Sequence, residues 1–247
     1  MGSNLYYEKY EDRYQAVYAA GADRWGFSPD DKNLFAVLYE WVYTNHLMGK
    51  RIIDFACGEG AAGKILCNLG CIYHGVDLAP SAVAAAQQLL AGYENASVSR
   101  LDMVKEPLPG PYDAALDSMG FHILITDQDR RQYLQNVYGC LCSGAPALFY
   151  QQSFRKIAYE GSVDSFDQWA QIVGIDYTHL ETRYAKKGDK PVEVMIPRIA
   201  GRSKSELGYR KEFVEAGFVI DRFIPEPDSD GMVRRASIYL HKPGSSK

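Results

Sequence analysis

Three glycines and one carboxylate stand close together in this sequence and could form a turn that binds a nucleotide. Gly58, Gly60 and Gly63 have the spacing G-x-G-x-x-G, and Asp54 precedes them by four residues. Glycine lets the backbone approach a ligand closely, so the motif is typical of a turn that holds a nucleotide-containing cofactor. The glycines alone do not distinguish a dinucleotide from another adenosine cofactor.

The charges around this turn indicate which cofactor it suits. Asp54 ends the preceding apolar run, and Glu59 lies inside the turn. Two carboxylates would repel a pyrophosphate by roughly 1 kcal/mol or more per close pair, which disfavours a dinucleotide. They would attract the sulfonium and ammonium groups of S-adenosylmethionine, so the charges favour that cofactor.

Two further acids follow the next two apolar runs. Asp77 ends the run His74–Asp77, and Asp102 is followed by Met103. A carboxylate such as that of Asp77 can accept hydrogen bonds from both ribose hydroxyls. Asp102 is placed to bind an adenine amino group, with Met103 near the ring. Three successive acids around one glycine turn form a much more specific pattern than the glycines alone.

The elements that must position these residues alternate regularly from residue 51 onward. Short β-branched runs alternate with amphipathic helices, which is the pattern of βαβ units and a mainly parallel sheet. The predicted strands are 51–56, 72–76, 97–101, 112–117, 145–151, 218–223 and 233–241, and the predicted helices are 61–69, 81–90, 128–141 and 204–215. Ligands of such sheets bind at the carboxyl ends of the strands, where the acids lie.

With these residues in place, the chain resembles the class I S-adenosylmethionine-dependent methyltransferases. The resemblance runs from about Arg51 to the last strand and is strongest at Asp54–Gly60, Asp77 and Asp102. It implies an α/β, Rossmann-like, doubly wound sheet of seven strands, mainly parallel, with a reversed last strand. It also implies S-adenosyl-L-methionine as cofactor, with its methionine end on the turn at 58–60, its ribose on Asp77 and its adenine by Asp102.

Two residues of the turn depart from the commonest form of the family motif, because Ala56 stands where a first glycine is often found and Cys57 follows it. Both are compatible with the fold. The predicted cofactor site consists of Asp54, Ala56, Cys57, Gly58, Gly60, Asp77, Leu78, Asp102, Met103, Asp117 and Ser118.

We expect one domain, 1–247, with two additions to the sheet. Residues 1–48 read as an aromatic, helical N-terminal lid, and 152–202 as an inserted cap made of a helix (163–173) and a β-hairpin (177–184 and 192–199). The hairpin could also form the surface of a homodimer. Tyrosine and tryptophan offer flat apolar area with a polar tip, which suits contact with an acceptor. The predicted acceptor-binding residues are Tyr14, Trp25, Phe121 and Tyr177.

His122 is the candidate catalytic residue. Methyl transfer is an in-line displacement at a sulfonium carbon, so the protein mainly has to align the acceptor and exclude water. His122 follows the fourth predicted strand and could deprotonate a hydroxyl or an ammonium group near neutral pH. A structural histidine at the start of a helix is the alternative. The resulting hypothesis is methyl transfer to a small molecule, at oxygen or nitrogen.

The composition excludes several other classes of function. The formal net charge is −4, and the basic residues form no long block, so nucleic acid is not an expected partner. No apolar run approaches the ~18 residues of a membrane span, and the N-terminus lacks the pattern of a secretory signal. The five cysteines are odd in number and do not form a zinc-ligand pattern. We therefore expect a cytoplasmic protein with reduced thiols, no membrane partner and no metal.

The sequence leaves two alternatives open. The literal glycine motif also fits an NAD(P)-dependent oxidoreductase, although Asp54 and Glu59 oppose it. The second alternative is a methyltransferase-like domain that binds the cofactor without catalysis and serves as a sensor or partner subunit.

Overall fold

A seven-stranded sheet forms the centre of the structure, a computed structural model that describes residues 6–188, 190–228 and 230–244. The strand order is β3-β2-β1-β4-β5-β9-β8. β9 is antiparallel to both of its neighbours, β5 and β8, whereas β1 to β5 run parallel, so the predicted sheet with a reversed last strand is confirmed. The strands are β1 (Arg51–Phe55), β2 (Ile72–Asp77), β3 (Ala96–Arg100), β4 (Ala114–Ser118), β5 (Pro146–Ser153), β6 (Leu180–Lys187), β7 (Lys190–Pro197), β8 (Val219–Pro227) and β9 (Val233–His241).

Helices cover both faces of this sheet. Successive strand residues point to opposite faces, so Ile52 packs in the layer that contains α2 and α3, whereas Ile53 packs in the layer that contains α5 and α7. Within the described residues, no helix is long and apolar enough to cross a membrane. The helices are α1 (Tyr10–Ala19), α2 (Lys32–Thr44), α3 (Ala61–Asn68), α4 (Pro80–Leu90), α5 (Asp127–Cys140), α6 (Phe166–Val173) and α7 (Glu206–Glu215), with 3-10 turns at Tyr6–Lys9 and Phe121–Ile123.

Side-chain caps explain where several helices begin. Asp31 accepts hydrogen bonds from the Asn33 and Leu34 N–H groups, both at 2.9 Å, and so starts α2. Thr126 caps α5 by accepting from the Asp129 N–H at 3.1 Å. These helices therefore start at fixed positions relative to the strand ends.

The lid and the insertion pack against each other. The hairpin β6–β7 contacts α1 through a small apolar cluster that includes Val17, Ala185 and Ile196. Next to that cluster, Arg13 of α1 forms an ion pair with Glu181 of β6 at 2.7 Å. Residues 1–5 of the predicted lid lie outside the described residues.

Several boundaries differ from the sequence prediction. The first hairpin strand begins at Leu180, three residues after the predicted start, so Tyr177 lies in the loop before it. Ser165 accepts from the Gln168 N–H at 3.2 Å, and this cap starts α6 at Phe166 rather than at residue 163. Residue 189, in the predicted hairpin turn, lies outside the described residues.

Replacing Gly63 by alanine tests how closely α3 packs on the sheet. A Cβ atom at Gly63 would lie 2.6 Å from two ring carbons of Tyr73 on β2. We expect Gly63→Ala to lower the free energy of unfolding by about 1–3 kcal/mol through overpacking. Gly139, in α5, has no atom within 4 Å of its Cβ position, so Gly139→Ala should leave stability unchanged or raise it by up to about 1 kcal/mol. Urea unfolding of both variants measures the contrast, and equal stabilities would contradict the packing argument.

Candidate functional site

One cavity of about 450 Å³ lies at the carboxyl edge of the parallel strands. Its lining comes from the ends of β1, β2, β3 and β4 and from the N-terminal lid, which covers it. This volume falls in the range of pockets that bind small ligands and cofactors.

The glycine turn after β1 forms the floor of this cavity. Gly58 and Gly60 adopt positive φ angles of 54° and 82°, which glycine tolerates without steric cost. A Cβ atom at Gly58 would lie 3.1 Å from the Tyr14 hydroxyl, so the lid approaches the turn closely. Gly63 does not line the cavity and serves instead the packing of α3 on Tyr73.

The Asp54 carboxylate is buried, and only one of its two oxygens has a hydrogen-bond partner among the described residues. The Tyr73 hydroxyl donates to its Oδ2 at 2.8 Å, whereas Oδ1 has no hydrogen-bond partner among the described residues. Burial raises the pKa of Asp54 well above its usual range, with smaller contributions from the nearby carboxylates Asp117 and Asp77. Ser118 also lines the cavity, and its buried hydroxyl likewise lacks a partner in the described part of the chain. These two atoms fit a cationic, hydrogen-bonding ligand such as the methionine end of S-adenosylmethionine.

Asp77 joins the glycine turn to the second strand. The Gly58 N–H donates to its Oδ2 and the Ala79 N–H to its Oδ1, each at 2.9 Å. Burial raises the pKa of Asp77 to about 6, although both of these N–H donors lower it. Leu78 follows directly in the cavity wall. The carboxylate is therefore held in a fixed orientation in the cavity lining, and its role toward the ribose stays a prediction.

Asp102 holds the turn after β3 in a similar way. Its Oδ1 accepts from the Val104 and Lys105 N–H groups, both at 3.1 Å. The Tyr7 hydroxyl of the lid lies 3.4 Å from its Oδ2, and Met103 lines the cavity beside it.

Asp117 lies behind the cavity wall rather than in it. Its Oδ1 accepts from the Gly120 N–H at 2.8 Å and from the Gln152 amide at 2.7 Å, and the Tyr133 hydroxyl donates to its Oδ2. Asp117 therefore fixes the loop that carries Ser118, while Ser118 itself faces the cavity.

Glu59 lines the cavity and contacts the lid, although the predicted site does not include it. Its carboxylate accepts from the Trp25 N–H at 3.0 Å, from the Gly26 N–H at 2.7 Å and from the Tyr18 hydroxyl at 2.7 Å. The position of Glu59 inside the turn signalled only a negative charge. In the structure that charge fastens the lid onto the turn.

The structure places the other predicted residues in two groups. Ala56, Cys57, Tyr14 and Trp25 line the cavity together with the residues described above. Gly60 packs behind them, where its Cβ position lies 3.1 Å from the Ala86 Cβ atom.

Phe121 and Tyr177 are not in the lining. Phe121 is fully buried in the core and stacks on Tyr133 at a centroid distance of 5.6 Å. Tyr177 packs against Phe166, in the apolar cluster of the insertion that includes Trp169. Their aromatic character therefore serves packing, which corrects their placement as acceptor contacts.

His122 lies beside the cavity and is held by the chain around it. Its backbone N–H donates to Gln152 Oε1 at 3.1 Å, and its carbonyl accepts from the Arg202 N–H at 2.7 Å. Desolvation lowers the pKa of His122 to about 4, and the charges of Arg130 and Arg235 act in the same direction. The imidazole is thus neutral at pH 7 but a weak base, and this geometry favours a structural role over general-base catalysis.

Left-handed residues other than glycine occur directly after two neighbouring strands and within the next one, a feature that the sequence did not indicate. Ala56 follows β1, Met119 follows β4 and Gln151 lies in β5, with φ angles of 56°, 65° and 51°. Such conformations cost free energy in non-glycine residues and concentrate at functional sites. They mark the cavity edge from β1 to β5 as the strained part of the sheet.

The comparisons with known proteins agree with this architecture. Residues 53–147 match a family model described as a methyltransferase domain. The chain is similar to an S-adenosylmethionine-dependent methyltransferase from Clostridium acetobutylicum, with 16% identity, a TM-score of 0.63, and coverage of 96% of this chain and 99% of that one. It is also similar to an amino pentose methyltransferase from Micromonospora echinaspora, solved with bound cofactor. The identity is 16%, the TM-score is 0.62, and the match covers 98% of this chain and 100% of that one. A third similar structure is a magnesium protoporphyrin IX methyltransferase from Synechocystis, with 15% identity, a TM-score of 0.62, and coverage of 96% of this chain and 98% of that one. No curated protein sequence matched the chain.

A glycine turn with acids on three neighbouring strand ends, in a sheet with one reversed strand, defines the Rossmann-like methyltransferase class. The family-model match covers the glycine turn and the strands from β1 to the start of β5. The chain as a whole has the fold of the S-adenosylmethionine-dependent methyltransferases that it is similar to. The oxidoreductase alternative receives no support.

The raised pKa of Asp77 predicts a pH dependence of cofactor binding. The carboxylate is charged above pH 6 and becomes protonated as the pH falls through 6, which removes an acceptor for the ribose hydroxyls. Affinity for S-adenosylhomocysteine should therefore be constant near neutral pH and fall by up to about tenfold per unit below pH 6. Calorimetry from about pH 5 to 7.5 measures this affinity. The Asp77→Asn variant should bind S-adenosylhomocysteine weakly, and its affinity should not fall as the pH drops through 6. An identical profile in the variant would remove Asp77 from the ribose site.

Removing the Glu59 carboxylate should loosen the lid. Hydrogen bonds to a charged acceptor contribute about 1.5–3 kcal/mol each before water replaces them, so we expect Glu59→Ala to weaken S-adenosylhomocysteine binding at least tenfold. Amide exchange at Trp25 and Gly26 should accelerate. Glu94→Ala, at an exposed glutamate in the turn after α4, is the matched control and should change neither quantity. Unchanged exchange at both lid residues in Glu59→Ala would show that Glu59 does not hold the lid.

Proposed function

We propose that this enzyme transfers a methyl group to a small-molecule acceptor, at an oxygen or a nitrogen atom. The observation that carries the proposal is the buried, unpartnered Asp54 oxygen beside the glycine turn, in one cavity with Asp77 and Asp102. A cationic or hydrogen-bond-donating group would satisfy this oxygen, and all three acids line the same cavity.

The sheet order supports one orientation of the cofactor in the cavity. Asp77 ends β2 and Asp102 follows β3, and these strands lie at one side of the sheet, so the two acids bind ribose and adenine together with Leu78 and Met103. The methionine end then lies over the turn after β1, where Asp54 and Ser118 provide the free polar atoms.

Arg24 supplies a counter-charge for the carboxylate of the cofactor. It lines the cavity, and it precedes Trp25, whose backbone Glu59 holds over the glycine turn. Among the described residues no acidic side chain pairs with Arg24, and a guanidinium group matches a carboxylate in geometry. Arg24 is therefore a cofactor-binding residue that the sequence pattern did not reveal.

When bound, S-adenosylmethionine would supply a methyl group on a positively charged sulfur, and transfer of that group to an acceptor lone pair would leave the electron pair of the broken bond on sulfur. The protein has to align the acceptor and keep water out. The lid performs the second task through Tyr14, Trp25 and Phe27, which cover the cavity. Ser118, Met119 and Gly120 line its wall at the end of β4, the strand next to β1. This loop positions the acceptor, and Asp117 positions the loop.

The size and cover of the cavity favour a small acceptor. A cavity of about 450 Å³ that also accommodates the cofactor leaves room for a compact group. The solved neighbours support this class of acceptor, since their descriptions name a glycopeptide, an amino pentose and a magnesium porphyrin. The lid and the inserted cap, packed together through Arg13 and Glu181, act as one cover. The homodimer through the hairpin stays a prediction.

A labelled-methyl assay against fractionated cell metabolites tests the proposed function. We expect transfer of label from S-adenosylmethionine to a small molecule, and calorimetric binding of S-adenosylhomocysteine but not of NADH or NADPH. Binding without transfer to any fraction would indicate a non-catalytic domain.

The same assay with His122→Gln tests whether His122 removes the acceptor proton. Because the pKa of His122 is about 4, we expect the turnover of this variant to stay within about threefold of wild type from pH 6 to 9. A loss of about 10²-fold or more in turnover, at unchanged cofactor affinity, would make His122 the base.

A further inference from the structure

The cavity has an arginine at the end opposite the adenosine-binding acids. Asp77 ends β2 and Asp102 follows β3, whereas Arg235 lies on β9, on the far side of β4 and β5. Because β9 is reversed, its first residues lie at the carboxyl edge of the parallel strands, where Arg235 pairs with Ser153 of β5 and Glu226 of β8. Arg235 lines the same cavity as the cofactor residues.

A hydrogen-bond network through Gln151 holds the Arg235 side chain in place. Its Nη1 donates to Gln151 Oε1 at 2.9 Å. Gln151 is itself fixed, because its backbone N–H donates to the Ser237 hydroxyl at 3.1 Å and its side-chain amide donates to Glu226 at 3.2 Å. Gln151 has its left-handed conformation at the irregular part of the β5–β9 pairing, between Phe149 and Gln152. The strained residue thus orients the guanidinium group.

Arg235 has one long ion pair within the described residues. Asp228 Oδ1 lies 3.9 Å from its Nε, and the side chain is 41% exposed. Arginine has five N–H donors, so donors of Arg235 remain for a ligand. Lys186 of the hairpin lines the same cavity, and no acidic partner of its side chain occurs in the described part of the chain.

The adjacent residue on the strand shows the contrast. Arg234 forms close ion pairs with Asp228 and Asp230, at 3.0 and 2.8 Å. It is not among the residues that line the cavity. Two neighbouring arginines thus have different roles, one paired on the surface and one directed to the site.

We propose that the acceptor carries an anionic oxygen group, a carboxylate or a phosphate, and that Arg235 binds it. The proposal rests on the methyl-transfer function proposed above and names the class of its acceptor. A planar guanidinium group binds either anion through paired hydrogen bonds. The acceptor is then held by its anion at the β9 end, and its nucleophilic atom lies toward Ser118 at the end of β4. Lys186 adds positive charge from the cover, which gives the inserted hairpin a part in substrate selection.

Two measurements test this assignment with Arg235→Gln, Arg235→Lys and the matched control Arg234→Gln. In the first, metabolites are separated on an anion exchanger before the labelled-methyl assay. The methylated acceptor should be in the retained, anionic pool, and kcat/KM should fall about 10²-fold in Arg235→Gln, mainly through KM, with partial recovery in Arg235→Lys. Arg234→Gln should behave as wild type, and all variants should bind S-adenosylhomocysteine normally. An acceptor in the unretained pool, or wild-type kcat/KM in Arg235→Gln, would overturn the proposal.

In the second, inorganic phosphate and malonate are titrated by calorimetry into the enzyme loaded with S-adenosylhomocysteine. At least one probe should bind the wild type and Arg234→Gln but not Arg235→Gln, and the stronger probe distinguishes phosphate from carboxylate. Binding that survives in Arg235→Gln, or no binding of either probe to the wild type, would overturn the anion site. Absence of methyl transfer to every pool would refute the proposed function, while this titration would still decide the anion site.

Discussion

Buried carboxylates at the carboxyl ends of parallel strands are the constraint on which the site depends. A charge removed from water is costly unless hydrogen bonds compensate it, and the nearest donors are backbone N–H groups of the following loop. Asp102 and Asp117 each accept two such bonds from the loop after their own strand, whereas Asp77 accepts one from its own loop and one from Gly58 in the turn after β1. Each acid therefore fixes the loop after its own strand or a neighbouring one, and together they set the shape of the cavity before any ligand binds.

Asp54 and Glu59 also accept hydrogen bonds, but from donors outside the loops that follow their strands. Asp54 has one tyrosine donor and keeps an oxygen free, so its ionisation and ligand binding are coupled: a bound cation would lower the pKa that burial raises. Glu59 accepts from the lid instead of from its own loop. The two carboxylates that repel a pyrophosphate thus perform different tasks, one toward the ligand and one toward the cover.

Much of the fold could be predicted because the periodicity of apolar residues is local. Asp77 and Asp102 were found as strand ends, and parallel strands bring their ends to one edge. Side-chain direction is not local, however, and this explains why Phe121 was placed at the acceptor although it lies in the core. The role of Arg235 required the β9 register, and that of Gln151 required its backbone conformation. Neither is visible in a sequence pattern.

The position of Trp25 makes this protein an optical reporter of its own occupancy. The chain has three tryptophans, of which Trp41 and Trp169 are buried in separate apolar clusters, away from the cavity. Trp25 alone lines the cavity, with the Arg13 guanidinium 5.4 Å from its ring centroid. Indole emission responds to polarity and to nearby charge, so filling the cavity changes the fluorescence of one identifiable residue. Cover closure and ligand entry can therefore be followed in real time in the unlabelled enzyme.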